Sequence, residues 1–144
     1  MKKTAIIVVA VTFLAGCAIS ENVVPVDSDK TIEKVYVRYS DDVHMEGLND
    51  ELVSQFRSLG FDAELYRGDT PDAAQHTFIF TANWAWDLAM YLTYFHGTLY
   101  EEGRMLGEAE YDARSGGSNF GKFGPTASKI KPLLTEMMQK VQRR

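Results

Sequence analysis

The sequence predicts an α+β fold: a mainly antiparallel sheet, in the element order β-α-β-β-β-β-α, with two helices packed on one face. Two patterns lead to this class. Aromatic and β-branched residues alternate with a period of two from Phe78 to Trp86, which is typical of a half-buried strand. Apolar residues also recur at helical spacing, from Leu48 to Leu59 and from Ile130 to Val141. We therefore expect a single domain over residues 32–144.

The chain opens with the features of a bacterial lipoprotein export signal. Lys2 and Lys3 precede an apolar run, and the sequence LAGC that ends at Cys17 has the form of a lipobox. In a lipobox the cysteine thiol is acylated and the signal is cut just before it. We expect a signal peptide over residues 1–16 and a stable lipid anchor on Cys17. Ala18 after the cysteine indicates delivery to the outer membrane, with the protein facing the periplasm.

A polar segment over residues 17–31 is expected to tether the lipid to the domain. Its valines, Val23, Val24 and Val26, are alternatively placed to pair at a sheet edge. The elements predicted next are a strand at Ile32–Tyr39, a helix over about Leu48–Leu59 that Gly60 ends, a strand at Phe61–Tyr66 and a loop over 67–75.

A β-hairpin is predicted around Glu102-Gly103, because this pair accepts the positive φ angles that a tight turn needs. Its strands are Ala89–Glu101 and Arg104–Ala113. A regular register then gives two faces. Tyr100 faces Met105, His96 and Tyr94 face Ala109 and Tyr111, and Glu108, Glu110 and Asp112 point to the opposite, acidic face.

The face occupied by Trp84 depends on the connection at Asp87-Leu88. A plain two-residue turn places Trp84 with Tyr91 and Phe95, whereas a bulge near Asp87 places it with Leu92 and Tyr94. Both arrangements remain open. A membrane-spanning helix is disfavoured, because Asn83, Asp87 and His96 would then lie in hydrocarbon.

Arg114–Gly124 is a glycine-rich loop, and the spacing of Gly116, Gly121 and Lys122 is that of a phosphate-binding loop. Phe123 stands where a Ser or Thr hydroxyl would have to hold Mg²⁺, so we expect a conformational role, with Phe120 or Phe123 covering the sheet. The second helix begins either near Ser128, with Pro132 in its first turn, or at Thr126, with a kink at Pro132.

Charge is distributed unevenly along the chain. Without Lys2 and Lys3, 13 of the 15 basic residues remain against 20 acidic ones, a formal charge of −7. The net sign argues against a nucleic-acid partner. The basic segment Lys129–Arg144 is suited to anionic headgroups or to an acidic partner, and alternatively it neutralises the acidic strand face.

The residue types suited to catalysis lack the spacing that would identify a site. His44, His76 and His96 are too widely separated to form a local metal motif, so we expect neither metal nor cofactor. The aromatic residues instead favour an interaction surface, unless they form core. Its candidate residues are Trp84, Trp86, Tyr91, Phe95, Phe120, Phe123, Lys129 and Lys131.

The segments TANWAWDLAMYL and GEAEYDARSGGSNFGKF, together with the lipobox, resemble a family of small envelope lipoproteins of Gram-negative bacteria. The motif residues here are Trp84, Trp86, Asp87, Tyr91, Gly107, Tyr111, Asp112, Gly116, Gly117 and Phe123. The resemblance implies a lipid anchor and adds no enzymatic activity.

The sequence therefore predicts a non-catalytic, lipid-anchored envelope protein that serves as a binding or assembly module. Its expected partners are an envelope protein, peptidoglycan or anionic lipid. One alternative is an envelope hydrolase that uses Glu108, Glu110 or Asp112. The other is a binding protein for a small apolar ligand, with a closed aromatic pocket near Trp84 and Trp86.

Overall fold

The computed structural model describes residues 18–43, 45 and 47–143. Cys17, the signal peptide and His44 lie outside the described residues. Within them, the elements are β1 (Ser20–Val24), β2 (Thr31–Ile32), β3 (Lys34–Arg38), α1 (Leu48–Ser58), β4 (Asp62–Tyr66), β5 (His76–Asp87), β6 (Ala89–Glu101), β7 (Arg104–Asp112), a 3₁₀ turn (Phe120–Lys122), α2 (Thr126–Met138) and β8 (Gln142–Arg143).

The predicted class is confirmed: the described residues form an α+β fold with two α-helices and a mainly antiparallel sheet. The six strands of this sheet lie in the order β1-β7-β6-β5-β3-β4. β3 is parallel to both β4 and β5, whereas β5, β6, β7 and β1 pair antiparallel. The expected order lacked β1 and the small parallel pair of β2 with β8.

The segment expected to be a tether is largely part of the domain. Ser20–Val24 pairs with β7 as the edge strand, and Val26 is buried against the core. The backbone N–H of Val26 also donates to the Met137 carbonyl at 2.9 Å. The expected boundary at residue 32 is therefore wrong, and the alternative of a sheet edge formed by these valines is correct for β1.

The hairpin between β6 and β7 turns where the sequence predicts, with positive φ at Glu102 (49°) and Gly103 (83°). Its register is the predicted one at Tyr100 and Met105 but differs from the prediction beyond that pair. Leu99 pairs with Gly107 and Tyr100 with Met105, which leaves Leu106 as an extra residue on β7. This bulge shifts the pairing of β6 with β7 by one residue. Tyr94 and His96 therefore lie opposite Asp112 and Glu110 instead of opposite Tyr111 and Ala109.

A second bulge settles the position of Trp84. Asp87 pairs with Ala89 across Leu88, so Trp84 lies opposite Leu92, and a register shift at Thr93 then brings Phe95 opposite Ala82. Leu92 and Phe95 therefore share the face of Trp84. The arrangement with a plain turn was therefore correct for Phe95, and the arrangement with a bulge was correct for Leu92.

The bulges keep one face of β5, β6 and β7 apolar, and both helices contact residues on that face. The ring of Phe56 from α1 packs edge-on against Phe78 with centroids 5.0 Å apart. A Cβ at Gly107 would lie 2.7 Å from Val26 and 3.1 Å from Met137 of α2, so only glycine leaves room there for the incoming segment and the helix.

None of the helices in the described part of the chain is both long and apolar enough to cross a bilayer. The segment Thr77–Tyr100, for which a spanning helix was weighed, is instead divided between β5 and β6.

We predict that Gly97→Ala destabilises the domain by about 1–3 kcal/mol, because the new Cβ would overlap the buried ring of Phe78. Urea unfolding followed by near-UV circular dichroism measures the change. The double variant Gly97→Ala/Phe78→Leu should lose less than the sum of the two single variants. Simple additivity would show that the ring does not rest on this glycine.

A pH-dependent contribution to stability is expected at Glu101, which accepts from Lys30 at 2.8 Å and Arg104 at 2.7 Å and lies 3.5 Å from His76. The bonds from Lys30 and Arg104 lower the pKa of Glu101 to about 2. Because this folded-state pKa is below the ordinary value, the contribution is present at neutral pH and is lost as the pH falls from about 4.5 towards 2.

Glu101→Gln should therefore have a lower Tm than the wild type at neutral pH, and the two Tm values should converge near pH 2. The matched control is Glu102→Gln, which removes the exposed neighbouring carboxylate. A gap between wild type and Glu101→Gln that stays constant throughout the acid range would contradict this assignment.

Candidate interaction surface

The hairpin of β5 and β6 extends past the rest of the sheet. Ser20 of β1, Asp112 of β7, Tyr94 of β6 and Asn83 of β5 lie in one row across the strands. The hairpin continues for four residues on β5 beyond this row, about 13 Å at the rise of a strand. Its last five residues, Trp86–Met90, are called the hairpin tip below.

The hairpin tip exposes large apolar side chains. Trp86 is 72% exposed, Leu88 is 85% exposed and Met90 is 52% exposed. Trp86 and Met90 are paired across the hairpin and lie on the same face of the sheet as Trp84 and Leu92. This apolar face of the sheet therefore continues to the end of the hairpin.

The glycine-rich loop, Arg114–Gly124, packs beside this tip and is held there by Lys122. The side chain of Lys122 is 5% exposed, and its Nζ lies 2.6 Å from Asp87 Oδ2 and donates to the Gly117 carbonyl at 2.6 Å. The ammonium also sits 4.8 Å from the centroid of the Tyr91 ring. The lysine of the phosphate-binding pattern is thus engaged by the protein itself.

Aromatic contacts continue from the hairpin into the loop. Tyr91 packs edge-on against Phe123 at 5.6 Å between centroids, and Phe123 contacts Phe120 at 6.4 Å. Phe123 is half-buried, as expected for a residue that covers the sheet, whereas Phe120 is 80% exposed.

Trp84 is positioned by α2 and is only half-buried. Its indole N–H donates to Thr126 Oγ1 at 3.1 Å, at the first residue of that helix. An open cleft of about 640 Å³ lies beside the tip, lined by Met45, Leu48, Met90 and Pro125 among others, and neither tryptophan belongs to its lining.

The surface residues predicted from the sequence differ in how exposed they are in the structure. Trp86 and Phe120 are exposed, Trp84, Tyr91 and Phe123 are half-buried, and Phe95 is wholly buried. Phe95 was therefore wrongly assigned to the surface, because the bulge at Thr93 turns it into the core. Leu88 and Met90 were missed; their positions in a hairpin turn, flanking the tryptophans, were the available signal.

The basic C-terminal segment does not act as one surface. Lys129 donates to the Gly121 carbonyl and so lies beside the glycine-rich loop, and Lys131 is exposed further along α2. Arg143 lies 5.6 Å from the ring of Phe61, next to the end of α1 that is remote from the tip. Within the predicted basic segment, Lys129 therefore lies near the hairpin tip, whereas Arg143 lies at the other end of the domain.

Glu108, Glu110 and Asp112 share one face of β7, and each of them has a partner. His96 Nε2 lies 3.2 Å from Glu108, Tyr94 donates its hydroxyl proton to Glu110 at 3.0 Å, and Arg114 donates to both oxygens of Asp112. The bonds from Arg114 lower the pKa of Asp112. Burial, followed by the bond to Glu110, raises the pKa of Tyr94.

These partners favour a structural role for the acidic face. A general acid in glycoside hydrolysis needs a raised carboxyl pKa, and the shift at Asp112 is in the other direction. His76 is similarly placed beside Glu101. Among the residues that the structure describes, no three or more His, Cys, Asp or Glu side chains lie close enough together to hold a metal ion.

Comparison with known proteins shows similarity in fold alone. No protein-family model matches the chain, and no curated protein matches it significantly. Two solved structures of PelC from Paraburkholderia phytofirmans, both dodecamers, are similar. The first, a single-residue variant of PelC, has a TM-score of 0.56 at 12% identity, and the second has 0.52 at 10%; in each case the match covers 88% of this chain and 99% of PelC.

We predict that Asp87→Asn loosens the glycine-rich loop, because it removes the carboxylate that faces the buried ammonium of Lys122. Leaving a buried charged donor short of its partner costs about 1–3 kcal/mol, which corresponds to roughly fivefold or more in local opening. Hydrogen exchange of the amides of Asn119, Lys122 and Phe123, which bond to carbonyls within the loop, and of Gly116, which bonds to the Ala113 carbonyl just before it, reports this change.

Asp29→Asn is the matched control, since it removes an exposed carboxylate in the turn before β2, away from the tip. Unchanged loop exchange in Asp87→Asn would show that the ion pair does not hold the loop in place.

Proposed function

We propose that this chain is a lipid-anchored, non-catalytic envelope protein that faces the periplasm from the outer membrane and works as a subunit of a protein assembly. The export signal, the LAGC sequence ending at Cys17 and the following Ala18 support the anchor and the location. They also agree with the predicted resemblance to Gram-negative envelope lipoproteins.

The likeness to PelC is the observation that carries the assembly part of the proposal. It extends over 99% of PelC, so the likeness takes in the complete PelC fold, and PelC was solved as a dodecamer. We infer that this chain assembles with further copies of itself.

An anchor on Cys17 would hold the domain close to the membrane. β1 begins at Ser20, three residues after Cys17, and an extended chain spans at most about 3.6 Å per residue. The lipid would therefore sit within roughly 11 Å of the edge strand. This short distance replaces the longer tether expected from the sequence.

We further infer that both helices pack on one face of the sheet. The contacts of Phe56 with Phe78 and of Met137 at Gly107 support this arrangement, since Phe78 and Gly107 belong to the same apolar face. The opposite face is then free to meet other envelope components. Its acidic residues are engaged by neighbouring His, Tyr and Arg side chains, which supports a non-catalytic surface.

The proposal is tested by the mass of the full-length protein after expression in a Gram-negative host and extraction with a mild detergent. We expect a defined homo-oligomer by light scattering and native mass spectrometry, and the same species after crosslinking in intact envelopes. A monomer in both preparations would contradict the assembly role.

Cys17→Ser serves as the control for the anchor. It should lose incorporation of labelled fatty acid and should leave the outer-membrane fraction. If the variant still fractionates with the outer membrane, the anchor on Cys17 is not what places the protein there.

A further inference from the structure

The exposed apolar residues of this domain are concentrated at one end. Among the described residues, the four large apolar side chains with the highest exposure are Leu88 (85%), Phe120 (80%), Trp86 (72%) and Met90 (52%). Three belong to the hairpin tip, and the fourth belongs to the glycine-rich loop beside it. The ion pair of Lys122 with Asp87 and the packing of Phe123 on Tyr91 join these two segments.

The chain enters the domain at this same end. Ser20 lies in the row from which the hairpin projects, so the chain joins the sheet at the end that carries the hairpin tip. The side chain of Ile19 lies 3.5 Å from the Cβ position of Gly116 and 3.6 Å from that of Gly121, both in the glycine-rich loop. Cys17 is two residues further and can therefore be at most about 7 Å from Ile19 along the chain.

Leu88, at the turn of the hairpin, combines a costly backbone with an exposed apolar side chain. It has φ of 59°, a left-handed conformation that costs a branched, non-glycine residue free energy and that Gly or Asn adopts more readily. Its side chain is also the most exposed of the large apolar residues described. The backbone cost is the same in any surrounding, whereas the exposed side chain is unfavourable in water and an apolar surrounding at the tip offsets that cost.

We propose that Trp86, Leu88, Met90 and Phe120 insert into the lipid headgroup and upper acyl region of the membrane that holds the anchor. This inference rests on the proposed acylation of Cys17, and it names lipid as the partner of the surface formed by these four residues. Tryptophan and other amphipathic aromatic side chains favour the interface between headgroups and hydrocarbon. Lys129, which lies beside the glycine-rich loop, is placed where it can contact anionic headgroups.

A lipid surface explains the placement of these residues better than a second copy of the chain does. The four side chains surround a projecting end, whereas a stable subunit interface is usually a broad patch of complementary shape. The end also coincides with the point at which the anchored segment leaves the domain. Inserted side chains next to the acyl chains would fix the orientation of the domain on the bilayer.

The two tryptophans provide a matched pair of probes for this proposal. The full-length acylated protein is reconstituted in vesicles of phosphatidylethanolamine and phosphatidylglycerol whose acyl chains carry bromine near the headgroups, which quenches nearby indoles. Trp84→Phe retains Trp86 and should lose most of its fluorescence. Trp86→Phe retains Trp84, which is half-buried and bonded to Thr126, and should keep most of its fluorescence.

The outcomes separate this inference from the proposed function. If the protein is acylated and bound to vesicles but Trp86 is not quenched, insertion is overturned and the anchor stands. Absence of acylation or of vesicle binding overturns both. Loss of Trp86 exposure that depends on protein concentration and occurs in detergent without bromine indicates a second copy at the tip, and also overturns insertion.

The variant Leu88→Asn separates membrane insertion from folding. Asparagine tolerates the left-handed backbone, so we expect the same or higher Tm in detergent together with reduced quenching of Trp86 in brominated vesicles. The further change Phe120→Asn should reduce quenching again. Undiminished quenching in the double variant would show that Trp86 reaches lipid without these residues and would overturn the proposed inserted surface.

Discussion

The two bulges in the central strands are the constraint on which the rest of this fold depends. Side chains alternate strictly along a regular strand, so a single extra residue exchanges the two faces from that point onward. The extra residue at Thr93 keeps Leu92 on the same face as Phe95 and Leu99, and the extra residue at Leu106 brings Gly107, Ala109 and Tyr111 of β7 to that face. Without the bulge at Thr93, Leu92 and Phe95 would lie on opposite faces, and the helices would contact a face that mixes apolar and polar side chains.

The sequence predicted the elements of this region better than their mutual register. The turn at Glu102-Gly103 and the strand ends around it follow from local backbone preference, and they were placed almost to the residue. Bulges have no comparable local signal. Whether Leu106 is paired depends on where Gly107 and its neighbours must pack, which is a tertiary property, and for this reason Phe95 and His96 were placed on the wrong faces.

At the candidate surface, too, the sequence predicted the residues better than the contacts between distant segments of the chain. Trp86 and Phe120 were recognised from their type, but the contact that brings their segments together is the bond of Lys122 to Asp87, residues 35 apart in the chain. A glycine-rich loop ending in lysine has more familiar uses, and its spacing alone suggests phosphate. The structure gives the lysine a carboxylate, a carbonyl and an aromatic ring as partners instead.

The glycine-rich loop also connects the entry of the chain mechanically to the hairpin. Ile19 lies beside Gly116 and Gly121 of this loop, at ordinary van der Waals distance from their Cβ positions. Lys122 of the same loop holds Asp87 of the hairpin. A short, packed path therefore joins Ile19 to the hairpin. With the lipid anchor proposed on Cys17, this path would constrain the orientation of the domain as well as its distance from the membrane.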